Sequence, residues 1–499
     1  MIQHTPVDTT DEVEELLTDA EEIANIKHRS VMGALSYFLR TAVLQIIGLV
    51  SALILSAFFS PEDFGIYGFV IQIIGLLIFF SDIGLAAALV QKKDEPNKSE
   101  YRVVFTLQWL LSWLIVGIII LLLLTGWVQA KVGGAGAWLL VSLAISFPLA
   151  TLKTISSIKL ERKLLFNKLV IPQIFEQIVF YGLLVYLAWH GFGVISYAYA
   201  IVARSIVGVI IMWSIEPWRE IGLRWNTKVL KSLLSYGVKF QLNDFLARIK
   251  DQLFFLGLGI FLPLDQFGYI QWAKSWSQYP YNLTVQNVLA ITFPTYSRLQ
   301  SRTDLLKKAI EKSLFFISLA IFPILTAMSV FIWPLIQVVE RYKQWEPAVV
   351  SFILFALSIG WAALSTPLVN TLNAIGQINK TLKLMSLWTM LTWIITPLLL
   401  WKVGFNGVAW SALIISFTSV LSIRMVKKYV PIEVFPQVKL ALIGSVIMAT
   451  LGLLGMQIWT QGLRMLVIGI ISSGLIYLLS IALFGWRQLN KEVHSLLRK

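Results

Sequence analysis

From residue 31 almost to the C-terminus the chain repeats one pattern, an apolar run of about twenty residues followed by a short turn that carries charge. A helix rising about 1.5 Å per residue crosses the hydrocarbon core of a bilayer in such a run. Composition agrees, with 57% of the 499 residues hydrophobic, only 14% charged and a mean hydropathy of +0.75. No soluble domain hides that much apolar surface, so the pattern predicts an all-α polytopic membrane protein.

Hydropathy and turn signals place spans near 31–59, 64–91, 101–128, 134–152, 168–190 and 193–215, and a second set near 231–261, 265–293, 308–334, 348–374, 380–401, 404–426, 436–460 and 463–486. About fourteen helices are therefore expected. They divide into an N-terminal lobe (31–215), a cytoplasmic linker (216–230), a C-terminal lobe (231–430) and two added helices with a basic tail (431–499). The first thirty residues form an acidic tail and lack the basic and apolar regions of a secretion signal; a short amphipathic helix and a solvated tail both fit them.

Lys and Arg number 41 against 27 Asp and Glu, and their placement decides what the excess means. With both termini cytoplasmic, 31 of the 41 fall on inner segments and five on outer loops (Lys131, Arg341, Lys343, Lys402 and Arg464). That is the positive-inside bias of a membrane protein, and it makes nucleic acid unnecessary as a partner. The absence of cysteine excludes thiolate chemistry, and four scattered histidines offer no metal site.

A repeat supports two related lobes. "FFSPEDFGIYG" at 58–68 and "FLPLDQFGYI" at 261–270 share Phe-x-Pro-x-Asp followed by Phe-Gly and Tyr, about 202 residues apart. Six spans separate the copies, so both hairpins point the same way, and the expected arrangement is two pseudo-symmetric lobes around a central cavity.

The stretch "KFQLNDFLARIKDQLFFLGLGIF" at 239–261 puts Lys239, Asp244, Arg248, Lys250 and Asp251 just before an apolar run of only ten residues. On a helix Gln241, Asp244, Arg248, Asp251 and Gln252 share one face; the next helix brings Gln271, Lys274, Ser275, Gln278, Asn282 and Gln286 onto one face. Exposed to lipid, the six charges of this hairpin would cost about 15 kcal/mol or more. Salt bridging along the helix satisfies some of them, yet Lys239, Arg248, Lys250 and Lys274 against Asp244 and Asp251 leave two positive charges over. Such a surplus suits a dianion. Asp244 and Asp251 fit proton relay or salt bridging equally. Elsewhere, matched depths suggest that Arg40 pairs with Asp82 and Glu176 with Arg204, or that these groups line the cavity. Pro148, Pro172, Pro280, Pro323 and Pro397 fall within spans as kinks or hinges. Glu62 and Asp63, the only adjacent outer carboxylates, read as caps of a helix beginning at Phe64, which leaves no enzyme site in the outer loops.

Residues 60–94, with "SPEDFG", Asp82, Gly84, Leu85 and "ALVQ", and residues 267–300, with "FGY", Pro280 and "FPTYSRLQ", resemble the polysaccharide-transporter family of O-antigen and exopolysaccharide flippases, within the multidrug/oligosaccharidyl-lipid/polysaccharide flippase superfamily. The resemblance implies a MATE-like flippase fold in a bacterial cytoplasmic membrane. It also implies alternating-access transfer of undecaprenyl-pyrophosphate-linked oligosaccharide, coupled to a proton or sodium gradient, with no cofactor. Membrane lipids and polysaccharide polymerase or export machinery are the implied partners. It places the cavity on helices carrying Arg40, Asp82, Lys239, Arg248, Lys250 and Lys274 here. A peptidoglycan lipid-precursor flippase and a multidrug exporter share the fold; an exporter of cations would prefer an acidic cavity.

Overall fold

The computed structural model describes residues 41, 43–218 and 222–497, with side chains at all of these except 235–250, 290, 291, 487–489 and 491–497. All regular structure among the described residues is helical. This follows from the solvent, because in lipid a helix satisfies its own backbone. In chain order the helices are α1 (Val43–Phe58), α2 (Pro61–Leu77), α3 (Leu85–Gln91), α4 (Lys98–Leu124), α5 (Trp127–Arg162), α6 (Phe166–Trp189), α7 (Ile195–Ile215), α8 (Thr227–Phe261) and α9 (Leu264–Leu299). Then follow α10 (Thr303–Val338), α11 (Val349–Ala374), α12 (Ile378–Val403), α13 (Gly407–Phe417), α14 (Val420–Lys427), α15 (Val434–Leu454), α16 (Met456–Trp459) and α17 (Leu463–Leu497). Among the described residues ten helical stretches are long and apolar enough to cross a membrane. α9 is not one of them, although its 36 residues are ample in length. Its polar face lowers its hydropathy.

The chain divides into two compact units. The first comprises the described residues up to Leu55 together with Val70–Leu253, and the second comprises Ser56–Phe69 with Phe254–Lys499. α2 and α8 therefore each change unit partway along. In the first unit α5 packs on α4 and α7, and α6 packs on α7. Its core includes Leu85 and Leu89 of α3, Val104 and Phe105 of α4, and Ile155 and Ile158 of α5. In the second unit α9 and α10 pack on α11, and α10 packs on α15, which packs on α17. Pro172, Pro280, Pro323 and Pro397 lie inside continuous helices, and Pro148 lies in the longer part of α5, which is kinked at Gly133 (φ 67°).

Several boundaries differ from the hydropathy reading, among them both ends of the second span. α2 starts at Pro61, three residues before Phe64, because Ser60 caps it: Ser60 Oγ donates to Asp63 Oδ2 at 2.8 Å and accepts from the Asp63 amide at 3.1 Å. Proline at the first helical position loses no hydrogen bond. The second span, read as continuous over 64–91, is broken. α2 tightens into a 3₁₀ turn at Ile78–Ser81, then Ile83 (φ 51°) and Gly84 (φ 74°) turn left-handed before α3 begins. Positive φ suits glycine but strains a β-branched isoleucine.

The sequence repeat has a direct structural counterpart within the second unit. Gly65 is the fifth residue of α2 and Gly268 the fifth of α9. A Cβ on Gly65 would stand 1.8 Å from the carbonyl oxygen of Leu264, the first residue of α9; one on Gly268 would stand 1.7 Å from that of Pro61, the first residue of α2. The contact is self-complementary, as at a local two-fold axis. It also explains the extra Gln266 of the second copy, since α9 begins one residue later relative to its proline and the glycines keep the same helical position. Only glycine permits this approach of two backbones.

Gly65→Ala and Gly268→Ala should each lower the thermal unfolding temperature of the detergent-solubilised protein, at a cost of about 1–3 kcal/mol from overpacking. The double variant should cost less than the sum, because either methyl already parts the helices. Gly117→Ala on α4, with nothing within 4 Å, should be neutral or stabilising in the same assay.

Candidate functional site

The helix that the charge pattern singles out has two unlike faces. On one face of α9, Trp272, Ala273, Trp276 and Ser277 are buried; on the other, Gln271, Lys274, Gln278 and Asn282 are half-buried and Ser275 and Gln286 exposed. An indole N–H inside an apolar span needs an acceptor. Ser56, itself fully buried, supplies it: its hydroxyl accepts from Trp272 Nε1 at 2.9 Å and Trp276 Nε1 at 3.3 Å, and its carbonyl accepts from Trp345 Nε1 at 2.6 Å. Gln344 Nε2 donates to the carbonyls of Ser56 and Phe59 at 3.2 Å each. Trp272 and Trp345 stack with centroids 4.8 Å apart and planes 8° apart. This knot fixes the rotation of α9 and so the direction of its polar stripe.

Along that stripe Gln271 lies against Gly68 of α2, where a Cβ would come within 2.7 Å of its amide nitrogen. Lys274 Nζ sits 3.3 Å from the centroid of the Phe255 ring on α8. A cation–π contact orients an ammonium without supplying a counter-charge. Lys239, Asp244, Arg248 and Lys250 belong to the continuous helix α8, but their side chains lie outside the described residues, as does Arg40 entirely. Asp251 is exposed. Gln252 of α8 packs against Gly75 of α2, within the first unit.

Of the other expected pairings, that of Glu176 with Arg204 is replaced. Glu176 of α6 pairs with Lys153 of α5 and not with Arg204. Hydropathy ends the fourth span at 152 and puts Lys153 in a loop, yet α5 continues to Arg162 and keeps Lys153 inside the bundle. Gly208 of α7 leaves room for the carboxylate; a Cβ there would fall 1.9 Å from Glu176 Oε1. Arg204, one turn earlier on α7, lies over the Phe180 ring with its guanidinium carbon 4.9 Å from the centroid. Asp82, at the break after α2, accepts from the Ala86 amide at 3.1 Å and from the side chain of Gln108 on α4. The pairing of Asp82 with Arg40 lies outside the described residues on the Arg40 side.

A separate feature of the second unit is an apolar cavity of about 640 Å³ between α10, α11 and α15, lined among others by Phe322, Leu325, Leu357, Trp361, Leu442 and Val446. Among the described residues no group of three His, Cys, Asp or Glu converges as a metal site. The Ser56 knot and the cavity between α10, α11 and α15 were not legible in the spacing; the knot had a partial signal, Trp272 and Trp276 one turn apart and a serine in an apolar run.

A family model described as "Polysaccharide biosynthesis protein" matches residues 54–350. No curated protein matches the chain in sequence. Among solved structures, the lipid II flippase MurJ in an inward closed conformation superposes with a TM-score of 0.71 at 16% identity, covering 92% of this chain and 99% of its own. An inward-facing multidrug resistance MATE family transporter of the MOP superfamily gives a TM-score of 0.54 at 14% identity, covering 79% and 98%. The chain is a multi-pass membrane protein with the fold of these transporters.

If Lys153 and Glu176 neutralise one another, a double-mutant cycle of Lys153→Met and Glu176→Gln on thermal stability should give a coupling of about 1–3 kcal/mol. The cycle between Glu176→Gln and Arg204→Met should give a much smaller one. Equal coupling in both would show that Arg204 shares the carboxylate.

Proposed function

Because the chain belongs to the polysaccharide biosynthesis protein family, we propose that it is a flippase for undecaprenyl-pyrophosphate-linked oligosaccharide repeat units, serving O-antigen, exopolysaccharide or capsule-type synthesis. It works by alternating access in a bacterial cytoplasmic membrane, with both termini in the cytoplasm, and draws on a proton or sodium gradient. It is a transporter and not an enzyme. The observation that carries this reading is the two-faced α9, whose buried tryptophans hold Lys274, Gln271, Gln278 and Asn282 in one half-buried polar stripe. Cations and amides of this kind suit a pyrophosphate and sugar hydroxyls, and the sequence of α8 supplies further cations at Lys239, Arg248 and Lys250. The apolar cavity between α10, α11 and α15 is wide enough for a stretch of prenyl chain.

A second reading, a flippase for the peptidoglycan lipid precursor, is favoured by the likeness to the lipid II flippase over nearly the whole chain. Both cargoes are diphosphate-linked, so the cationic stripe serves either. A drug exporter of the same fold would move soluble cations, which the surplus of positive charge on this hairpin opposes.

Expression in strains that each lack one lipid-linked-sugar flippase should restore polysaccharide export and leave the peptidoglycan-precursor strain inviable. Arg248→Ala or Lys274→Ala should reduce restored export about tenfold, the effect of losing about 1.4 kcal/mol of charged contact, at unchanged membrane abundance. Full export by the double variant would remove the anion-binding role.

A further inference from the structure

The broken second span holds a titratable group, Asp82, whose hydrogen-bond partners are all neutral. Asp82 sits where the helix is interrupted, between the 3₁₀ turn Ile78–Ser81 and the left-handed pair Ile83 and Gly84. Among the described residues its side-chain partners are two backbone amides, those of Ala86 and Gly84, and one neutral side chain, Gln108. Gln108 is 2% exposed, and its Oε1 is buried without a hydrogen-bond partner.

That orphaned oxygen is informative. A primary amide presents a donor at one end and an acceptor at the other, and a buried acceptor left unpaired is costly. Gln108 gives its donor end to Asp82, as suits an ionised carboxylate, and gains nothing at the other end. Rotation about the last side-chain bond exchanges the two ends and is soft. Among the described residues no other group holds the amide, so the charge on Asp82 sets which end it favours. With a proton on Oδ1, Asp82 becomes the donor and the Gln108 carbonyl its acceptor.

The charged groups of the neighbouring elements are engaged elsewhere. The 3₁₀ turn packs on α4, and α3 packs on α4 and α5. On α4, Arg102 lies six residues before Gln108, about 9 Å along the axis, beside Gly222. Tyr101 receives Lys159 of α5 over its ring at 5.7 Å. Lys153 is held by Glu176. Glu161 lies at the last turn of α5 beside Arg162. Arg162 donates to the carbonyls of Leu89, Val90, Lys92 and Asp94 at 2.7–3.1 Å, pinning the far end of α3. α3 is thus pinned at its C-terminal end by Arg162, while its N-terminal end is held by the packing of Leu85 and enters from the break through the Asp82 contacts and a strained Ile83.

We propose that Asp82 is a proton-binding site and Gln108 its reader: uptake of one proton at Asp82 Oδ1 reverses the Gln108 amide and repacks the break at residues 78–84. The proton comes from and returns to water, and no other bond is made or broken. As a step in transport the site rests on the flippase reading; as a proton switch it does not, so the test contains no cargo.

The chain has no cysteine, so Ser81→Cys gives a single thiol within the break. A nitroxide attached there in the full-length protein in detergent should show two line shapes interconverting as pH is titrated. Asp82→Asn, which carries a neutral group of the same shape, should hold the low-pH line shape throughout. Gln108→Leu should flatten the transition, and Gln108→Glu should raise its midpoint by a unit or more, about tenfold in proton affinity, because two carboxylates then share one proton. For folded, monodisperse variants, the absence of a transition in the parent, or an unaltered transition in Asp82→Asn, overturns the proposal. The component of the protonated-carboxyl infrared band that grows with the same midpoint as the line-shape transition must be lost in Asp82→Asn; its persistence would place the proton elsewhere.

Discussion

One serine organises the helix on which the functional reading depends. Ser56 takes indole N–H groups from Trp272, Trp276 and Trp345, and the Trp272–Trp345 stack closes over it. In an apolar medium each unpaired indole N–H would be costly, so the three bonds determine which face of α9 turns inward. The opposite face then has no choice but to present Gln271, Lys274, Gln278 and Asn282. Beside the knot, Gly65 and Gly268 let the first turns of α2 and α9 meet backbone to backbone. Anchor and stripe are consequences of one packing event.

The crossing also gives the duplicated motif a physical purpose. Phe-Gly after Pro-x-Asp recurs because each glycine faces the first carbonyl of the other helix, and a side chain at either place would part the pair. The two copies need not share a capping scheme. Ser60 and Asp63 close a reciprocal cap on α2, whereas Pro263 precedes α9 with no side-chain cap. What the copies share is the position of glycine within the helix.

Much of the fold was legible because hydropathy reports length and burial, which are what a bilayer selects. The described helices overlap the apolar runs, though not span for span, and the six polar residues of α9 share a face because spacing alone places them there. The break at Asp82 was not legible as a break, since an average over apolar residues cannot register two positive φ angles at Ile83 and Gly84. Nor was the Glu176 partner, which depends on α5 running ten residues past 152. Matched depth suggested Arg204, but Arg204 lies over the Phe180 ring, and Gly208 leaves room for the carboxylate that pairs with Lys153. Tertiary reach overrode spacing in each case.

The central claim is that cations on the α8–α9 hairpin recognise a diphosphate on a lipid. Native mass spectrometry of the purified protein with undecaprenyl pyrophosphate, and with undecaprenol as the uncharged control, measures that recognition without transport. The account predicts retention of the diphosphate, little retention of the alcohol, and a loss of about tenfold or more in Lys274→Met combined with Arg248→Met. Equal retention of both lipids, or of the diphosphate by parent and double variant alike, would contradict it.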